Sequence, residues 1–265
     1  MYQFNYHKPR SLEEAVNLYQ GAEEGVYLAG GHTIIPTMKQ RLAAPTDVID
    51  LAGIEGLSGI DVQRDVISVG ALTCHDTVAT SAEVNNQLPV LAQVAGEIGD
   101  GQVRNRGTLG GSVANSDPAA DYPAAVIALG ATIHTLSRSI AADDFFKNLF
   151  ETALQPGEII TRIDFPIPTR AAYRKFPNPA SRYAVVGVLV ADFAGSIRVG
   201  VTGAGPCAFR ATAIEEALNA NLDPAAVDEV QVPDATFNND LHASAEYRAH
   251  LVKVMAGRAV QDLLG

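Results

Sequence analysis

The spacing of apolar residues changes several times along the chain, and each change marks a new secondary-structure element. A Ser-x-x-Glu capping box at residues 11–14 is followed by apolar positions at helical spacing, which predicts a helix that ends at Gly21. Apolar runs at residues 26–29 and 47–51 are typical of short buried strands. Between them, Pro36 suits the first turn of a second helix. This stretch therefore predicts a small unit of mixed helices and strands.

The same pattern analysis extends to the C-terminus. Strands are predicted at residues 57–62, 66–72, 131–136, 158–165, 173–176, 184–193 and 197–202. Helices are predicted at residues 76–81, 89–98, 122–129, 211–219 and 243–264. Prolines around residues 166–170 interrupt the pattern and indicate a boundary. We therefore expect an α+β protein with units at residues 1–55, 56–168 and 169–265.

Composition narrows the class of protein. Of 265 residues, 47% are hydrophobic and 18% are charged, which is ordinary for a globular protein. The formal net charge of −11 argues against a nucleic-acid-binding surface, because such a surface needs clustered Lys and Arg. No apolar run approaches the roughly 20 residues that span a bilayer, and the N-terminus has no signal-peptide pattern, so we expect a cytoplasmic protein.

Residues suited to metal binding are sparse. The two cysteines, Cys74 and Cys207, form no CxxC motif, so this chain alone can build neither a cysteine-ligated iron–sulfur cluster nor a cysteine zinc site. The six histidines are scattered, and neither a P-loop nor a nucleophile elbow is present. The sequence therefore predicts no metal site.

Two glycine-rich segments are the candidates for a binding site. Gly30-Gly31 lies between a predicted strand and a predicted helix, where glycine lets the backbone approach a phosphate and the helix start adds partial positive charge. The alternative is a strand-to-helix turn that merely needs glycine. The second segment, residues 107–112, holds three glycines and the hydroxyls of Thr108 and Ser112. Its alternative is a polar surface loop.

Charged and polar residues flank the second segment. Arg104 and Arg106 precede it, and guanidinium groups are suited to a pyrophosphate. Asn115, Asp117 and Asp121 follow it, and a carboxylate there could accept hydrogen bonds from ribose or ribityl hydroxyls. Together the two segments favour a cofactor that carries a pyrophosphate.

A third glycine segment matches a known motif better on paper. Residues 203–208 satisfy G-x-G-x-x-A, the dinucleotide-binding fingerprint. However, Pro206 removes one of the amides that should face the phosphate, and no second parallel strand ending in an acid follows. We therefore interpret this match as structural.

The chain resembles the FAD-binding medium subunit of the molybdenum hydroxylases, which include aerobic carbon monoxide dehydrogenase and xanthine dehydrogenase. Two motifs carry the resemblance: Leu-Ala-Gly-Gly-His-Thr at residues 28–33 and Thr-Leu-Gly-Gly-Ser at residues 108–112. The family has Ala-Gly-Gly-His-Ser/Thr and Thr-Ile/Leu-Gly-Gly-Ser/Asn in the same order and at a similar distance. The resemblance covers nearly the whole chain, but residues 178–182 lack the spaced Arg-x-x-Asp pattern that is common in the family.

The resemblance implies a fold and a set of partners. The fold would be a vanillyl-alcohol-oxidase-type (PCMH-like) FAD-binding domain of two α/β subdomains, followed by a C-terminal three-stranded antiparallel sheet with helices. A small subunit would hold two [2Fe–2S] clusters, a large subunit would hold molybdopterin, and the complex would be a dimer of heterotrimers. This chain would pass electrons from the clusters through FAD to an external acceptor. The alternatives are a standalone FAD-dependent oxidase or reductase and a partner module that has lost the cofactor.

The resemblance also implies the cofactor contacts, and it names no catalytic residue because the flavin carries the redox chemistry. The two pyrophosphate segments would be Leu28, Ala29, Gly30, Gly31, His32, Thr33 and Ile34, and Thr108, Leu109, Gly110, Gly111 and Ser112. Further contacts would come from Asn115, from the acid Asp121, from the backbone of Ile160 at the isoalloxazine, from Lys175, and from the ring of Tyr183. A cation at Lys175 would favour the reduced, anionic flavin.

Overall fold

The computed structural model describes residues 1–265, and its first elements form a small parallel sheet, called here the N-terminal sheet. These elements are β1 (Asn5–His7), α1 (Leu12–Gly21), β2 (Gly25–Leu28), α2 (Ile34–Lys39), β3 (Asp47–Asp50) and a 3₁₀ turn (Leu51–Gly53). Strand β3 lies between β1 and β2, and both neighbours run parallel to it. Its residues Val48 and Ile49 are buried, which explains the apolar run that predicted this strand.

Helix α1 begins where its capping box predicts. The Glu14 N–H donates to Ser11 Oγ (3.1 Å), which satisfies one of the free donors at the helix start. In a complete capping box the Glu14 carboxylate would accept from the backbone N–H of Ser11. Here it accepts from the N–H of Arg10 (2.8 Å), one residue earlier.

A five-stranded antiparallel sheet, called here the central sheet, follows with the order β4-β5-β10-β6-β7. Its strands are β4 (Ile60–Val62), β5 (Val66–Gly70), β6 (Thr132–Thr135), β7 (Ser139–Ala141) and β10 (Ile160–Pro166). Strands β8 (Phe146–Asn148) and β9 (Glu151–Thr152) form a separate hairpin. The helices are α3 (His75–Thr80), α4 (Ala82–Gln87), α5 (Pro89–Gly96), α6 (Gly101–Arg104), α7 (Leu109–Asn115), α8 (Tyr122–Ala128) and α9 (Ala142–Phe145).

The chain ends in an antiparallel sheet, called here the C-terminal sheet, and three helices. Its strands are β11 (Arg170–Pro177), β12 (Ala184–Phe193), β13 (Ser196–Thr202) and β14 (Phe209–Arg210) in that order. The helices are α10 (Thr212–Ala220), α11 (Pro224–Asp228) and α12 (Ala245–Leu264). The two-residue β14 adds a fourth strand to the three that were predicted. A strand this short carries no alternation of apolar and polar residues that a sequence pattern could reveal.

The central and C-terminal sheets share one hydrophobic core. Ile163 and Phe165 of β10 belong to the same buried cluster as Tyr173 of β11 and Leu189 of β12. The other face of β12 packs with α12 in a second core. Strand β12 is therefore buried on both faces, which is why it is apolar without alternation.

The predicted mixture of helices and strands is confirmed, and the elements that were not predicted are short. They include α4, α6, α7, α9, β7 and the β8–β9 hairpin. A helix of four to seven residues completes at most two turns, so its apolar spacing does not stand out from that of a loop. No helix combines the length and apolar character that crossing a bilayer requires.

Candidate functional site

The two glycine segments touch each other, although they are far apart in the sequence. A Cβ atom on Gly30 would lie 2.1 Å from the carbonyl oxygen of Arg106 and 2.8 Å from Gly107 Cα. No side chain fits at that distance, so glycine is required at position 30 by the second segment. The two segments therefore form one site at the junction of the N-terminal and central sheets.

The first segment presents a row of free backbone donors. The N–H groups of residues 29–33, called here the amide row, donate no hydrogen bond to any protein acceptor. Gly31 has φ +77°, a backbone conformation that favours glycine. Thr33, at the start of α2, makes no side-chain cap, and within the first turn the Ile35 N–H donates to Gly31 O (3.1 Å). Such a row next to a helix N-terminus is suited to an anionic phosphate.

The second segment is a helix start rather than a loop, and most of its amides are already bonded. Thr108 caps α7 by accepting from the Gly111 N–H (3.2 Å). The N–H of Leu109 donates to Thr73 O (3.0 Å), and the N–H of Gly110 donates to Ala71 O (2.8 Å). The amides of residues 109–111 are therefore not free to bind a phosphate. The backbone needs these amides to hold α7 against the strand-to-helix connection after β5.

Glycine at position 110 has a packing cause. A Cβ there would lie 2.5 Å from Ala71 Cβ and 2.7 Å from Ala71 O. What this segment leaves available is polar side chains: neither the hydroxyl of Ser112 nor the amide of Asn115 makes a hydrogen bond within the chain. Arg106 is exposed and has no ion-pair partner, whereas Arg104 donates to Ile98 O (3.1 Å).

A buried histidine that the sequence did not single out supports the second segment. A Cβ atom on Gly107 would lie only 2.6 Å from His75 Nε2. The His75 ring packs on the Tyr122 ring, with the two centroids 5.2 Å apart. Burial lowers the pKa of His75 to about 4, with further lowering from His32 and Arg104. The imidazole is therefore neutral at physiological pH and fills space under the second glycine segment without adding charge.

Beside Tyr122, an acid and a lysine are paired in the interior. Asp121 Oδ1 lies 2.9 Å from Lys175 Nζ, and both side chains are almost fully buried. The same oxygen accepts from the Tyr173 hydroxyl (2.6 Å). Burial raises the pKa of Asp121 to about 6, against the lowering effect of Lys175 and Tyr173. The resemblance named Asp121 and Lys175 separately, and the structure brings them into direct contact.

The two remaining candidates lie near these groups. Ile160 begins β10. The carbonyl oxygen of the next residue, Thr161, accepts from the Ala71 N–H (3.0 Å), and Ala71 O in turn accepts from the Gly110 N–H. Ala71 therefore lies between the start of β10 and Gly110. Tyr183 is about half exposed, at 47%. The N–H of the next residue, Ala184, donates to Ala119 O (3.1 Å), which places Tyr183 on the Asp121 side of the site. Burial, followed by the charges of Asp117 and Asp121, raises the pKa of its hydroxyl.

The third glycine segment is structural, as interpreted from its sequence. It follows β13, an antiparallel strand, and β14 comes before the next helix, so the strand–loop–helix unit of the fingerprint is absent. Gly203 has φ +85°, and its N–H donates to Pro118 O (2.6 Å). A Cβ at Gly203 would lie 2.5 Å from Val185 O.

Tyr173 and His75 were missed by sequence reasoning, and only one of them had a usable signal. Residues i and i+2 of a strand share a face, so assigning Lys175 to the site also selects Tyr173. Nothing local marks His75, because its role comes from the approach of Gly107, more than thirty residues later in the chain.

The geometry agrees with what comparison with known proteins shows. Residues 2–168 match the family described as the FAD binding domain in molybdopterin dehydrogenase. Residues 171–263 match the CO dehydrogenase flavoprotein C-terminal domain. Fold and site thus define an FAD-binding flavoprotein that is a component of an oxidoreductase. The chain belongs to the family of FAD-binding medium subunits of the molybdenum hydroxylases.

Individual relatives are similar along their whole length. The chain is 35% identical to the nicotine 6-hydroxylase medium subunit of Paenarthrobacter nicotinovorans, over 97% of this chain and 96% of the relative. It is 32% identical to the carbon monoxide dehydrogenase medium chain of Afipia carboxidovorans, with the same two coverages. A chain of reconstituted CO dehydrogenase from Oligotropha carboxidovorans superposes with a TM-score of 0.90 at 32% identity, over 99% of this chain and 98% of that chain.

Proposed function

We propose that this chain is the electron-transfer subunit of a heterotrimeric molybdenum hydroxylase. It receives electrons from the [2Fe–2S] clusters of an iron–sulfur small subunit and passes them through FAD to an external acceptor. A molybdopterin large subunit oxidises the substrate, and two heterotrimers associate. The names of the relatives as medium subunits and medium chains support an assembly with partner chains.

The observation that carries the proposal is the meeting of the amide row with the second glycine segment. The residues present fit the pyrophosphate of FAD: unpaired N–H donors of residues 29–33, a helix start at Ile34, and a free guanidinium at Arg106. FAD, when bound, supplies the redox chemistry, and the protein positions it and tunes its potential.

Each candidate contact has a role in this proposal. The first segment, Leu28 to Ile34, holds the pyrophosphate through its backbone, and the side chains of Ser112 and Asn115 add hydrogen bonds from the second. Thr108, Leu109, Gly110 and Gly111 shape the wall of the site, because their amides are engaged or packed within the protein. The remaining proposed flavin contacts are Asp121, Ile160, Lys175 and Tyr183.

We also propose the vanillyl-alcohol-oxidase-type fold, with FAD-binding subdomains at residues 1–55 and 56–168 and a C-terminal domain at residues 169–265. The three sheets support this division, since each lies within one of the three ranges. The cytoplasmic location stays a prediction.

Purification of the native complex tests the proposal. We expect a flavin absorbance spectrum from this chain, together with one co-purifying chain that has the visible spectrum of [2Fe–2S] clusters and one that contains molybdenum. Reduction of the flavin on adding substrate should require both partners. A chain that binds FAD and turns over a substrate alone would support the standalone oxidase or reductase instead. A folded chain that takes up no FAD would contradict both.

A further inference from the structure

A buried tyrosine completes the contacts of the Asp121–Lys175 pair. Tyr173 lies on β11 with only 1% of its surface exposed, and its hydroxyl donates to Asp121 Oδ1 at 2.6 Å. That oxygen is also the one that contacts Lys175 Nζ at 2.9 Å. One carboxylate oxygen therefore receives two donors from the same face of one strand.

The neighbouring strand is built to admit this hydroxyl. Gly187 of β12 lies directly opposite Lys175 in the sheet register. A Cβ on Gly187 would lie only 2.4 Å from the Tyr173 hydroxyl oxygen. The space that the glycine leaves is therefore the space that the hydroxyl occupies, and any larger residue at position 187 would displace the tyrosine from Asp121.

The ammonium group of Lys175 has no donor left for other partners. Besides Asp121, its Nζ atom donates to the carbonyl oxygens of Glu97 (2.9 Å) and Arg182 (3.1 Å). An ammonium has three N–H donors, and three acceptors surround this one. Lys175 therefore acts on its surroundings through its charge, and that charge is compensated only while Asp121 is ionised.

We propose that Tyr173 is a positioning residue that keeps Asp121 ionised and bonded to Lys175, so that the flavin sees a compensated pair rather than an isolated cation. The proposal rests on the proposed function, because it assumes that Lys175 lies beside the flavin. A compensated pair favours the reduced flavin less than a free cation would, so the tyrosine lowers the reduction potential of bound FAD.

Two groups keep Asp121 ionised: Lys175 has the larger effect and Tyr173 the smaller one. Burial disfavours the carboxylate, the carboxylate of Glu97 adds repulsion, and only Lys175 and Tyr173 oppose these effects. A hydrogen bond to a charged group shifts a protonation equilibrium by about tenfold to a hundredfold. Because the pKa of Asp121 is already about 6, loss of the hydroxyl raises the protonated fraction of the acid at neutral pH.

Replacement of Tyr173 by Phe tests the proposal in the full chain within its complex. We expect unchanged FAD content and a higher midpoint potential of bound FAD in a dye-linked redox titration at pH 7. A tenfold change in the ratio of reduced to oxidised flavin corresponds to about 30 mV for a two-electron couple. The matched control is Tyr6→Phe, which removes a tyrosine–aspartate hydrogen bond, to Asp50 (2.5 Å), at the surface of the N-terminal sheet. It should leave the potential as in wild type.

A second variant keeps the test decisive if Tyr173→Phe does not fold. Asp121→Asn preserves the shape of the side chain and removes its charge, and we expect it to raise the potential at least as much. In the double variant, Tyr173→Phe should add no further rise. Retained FAD with an unchanged potential in either single variant would overturn the proposal. Wild-type chain that binds no FAD would instead refute the proposed function.

Discussion

At the scale of single residues, the identity of several amino acids is set by an atom that belongs to a distant part of the chain. Gly30 is a glycine because the carbonyl oxygen of Arg106 occupies the place of its side chain. Gly187 is a glycine because the hydroxyl of Tyr173 does the same. Neither position has a positive φ, so steric approach, and not backbone conformation, is the cause.

This cause predicts the effect of a single methyl group at position 30. Gly30→Ala should force the two glycine segments apart, and overpacking of this kind costs about 1–3 kcal/mol, which is about 5- to 150-fold in the Kd for FAD. Fluorescence titration of the apoprotein with FAD measures it. The control is Gly21→Ala, because a Cβ on Gly21 meets nothing within 4 Å. Wild-type affinity in Gly30→Ala would show that the segments do not form one site.

At the scale of elements, short segments are held by side chains rather than by their own regularity. The connection between β9 and β10 is fixed by Glu158, whose carboxylate accepts two hydrogen bonds from Arg138 (2.8 Å each). The same carboxylate accepts from the Thr135 hydroxyl and from the Gln155 N–H. Helix α7 is held in a similar way by its Thr108 cap.

These contacts predict a pH dependence of stability. The hydrogen bonds from Arg138, followed by those from Gln155 and Thr135, lower the pKa of Glu158 from 4.5 to about 2. A lowered pKa in the folded state means that the contribution to stability is complete above about pH 4.5 and is lost as the pH falls toward 2. Glu158→Gln should therefore lower Tm at pH 7, and the difference from wild type should shrink at pH 3. A difference that stays constant with pH, measured by thermal unfolding, would contradict this assignment.

At the scale of the whole molecule, the central and C-terminal sheets form one packed body. Helix α8 lies against β13 so closely that a Cβ on Gly200 would be 2.2 Å from Ala124 O. The Asp121–Lys175 pair and the Tyr173 hydrogen bond cross the same junction. The flavin site that we propose therefore depends on the docking of the two sheets.

Gly200→Ala should weaken this docking. We expect a loss of about 1–3 kcal/mol in the free energy of unfolding, because the methyl group has no space between the strand and the helix. Urea unfolding followed by circular dichroism measures it, and Gly101→Ala, where a Cβ meets nothing within 4 Å, is the control. Equal stability of both variants would show that the helix can move away from the sheet at no cost.

The sequence by itself determined the long elements, the cap of α1 and the pairing of two glycine motifs that identified the family. These features depend on residues a few positions apart, which a linear pattern contains. Only the tertiary structure decided which amides are free: those of residues 29–33 lack protein acceptors, whereas those of residues 109–111 are engaged. It also decided that Tyr173 and Gly187 belong to the Asp121–Lys175 pair. Hydrogen bonds and close approaches join atoms from separate elements, and no spacing along the chain records which of these elements will meet.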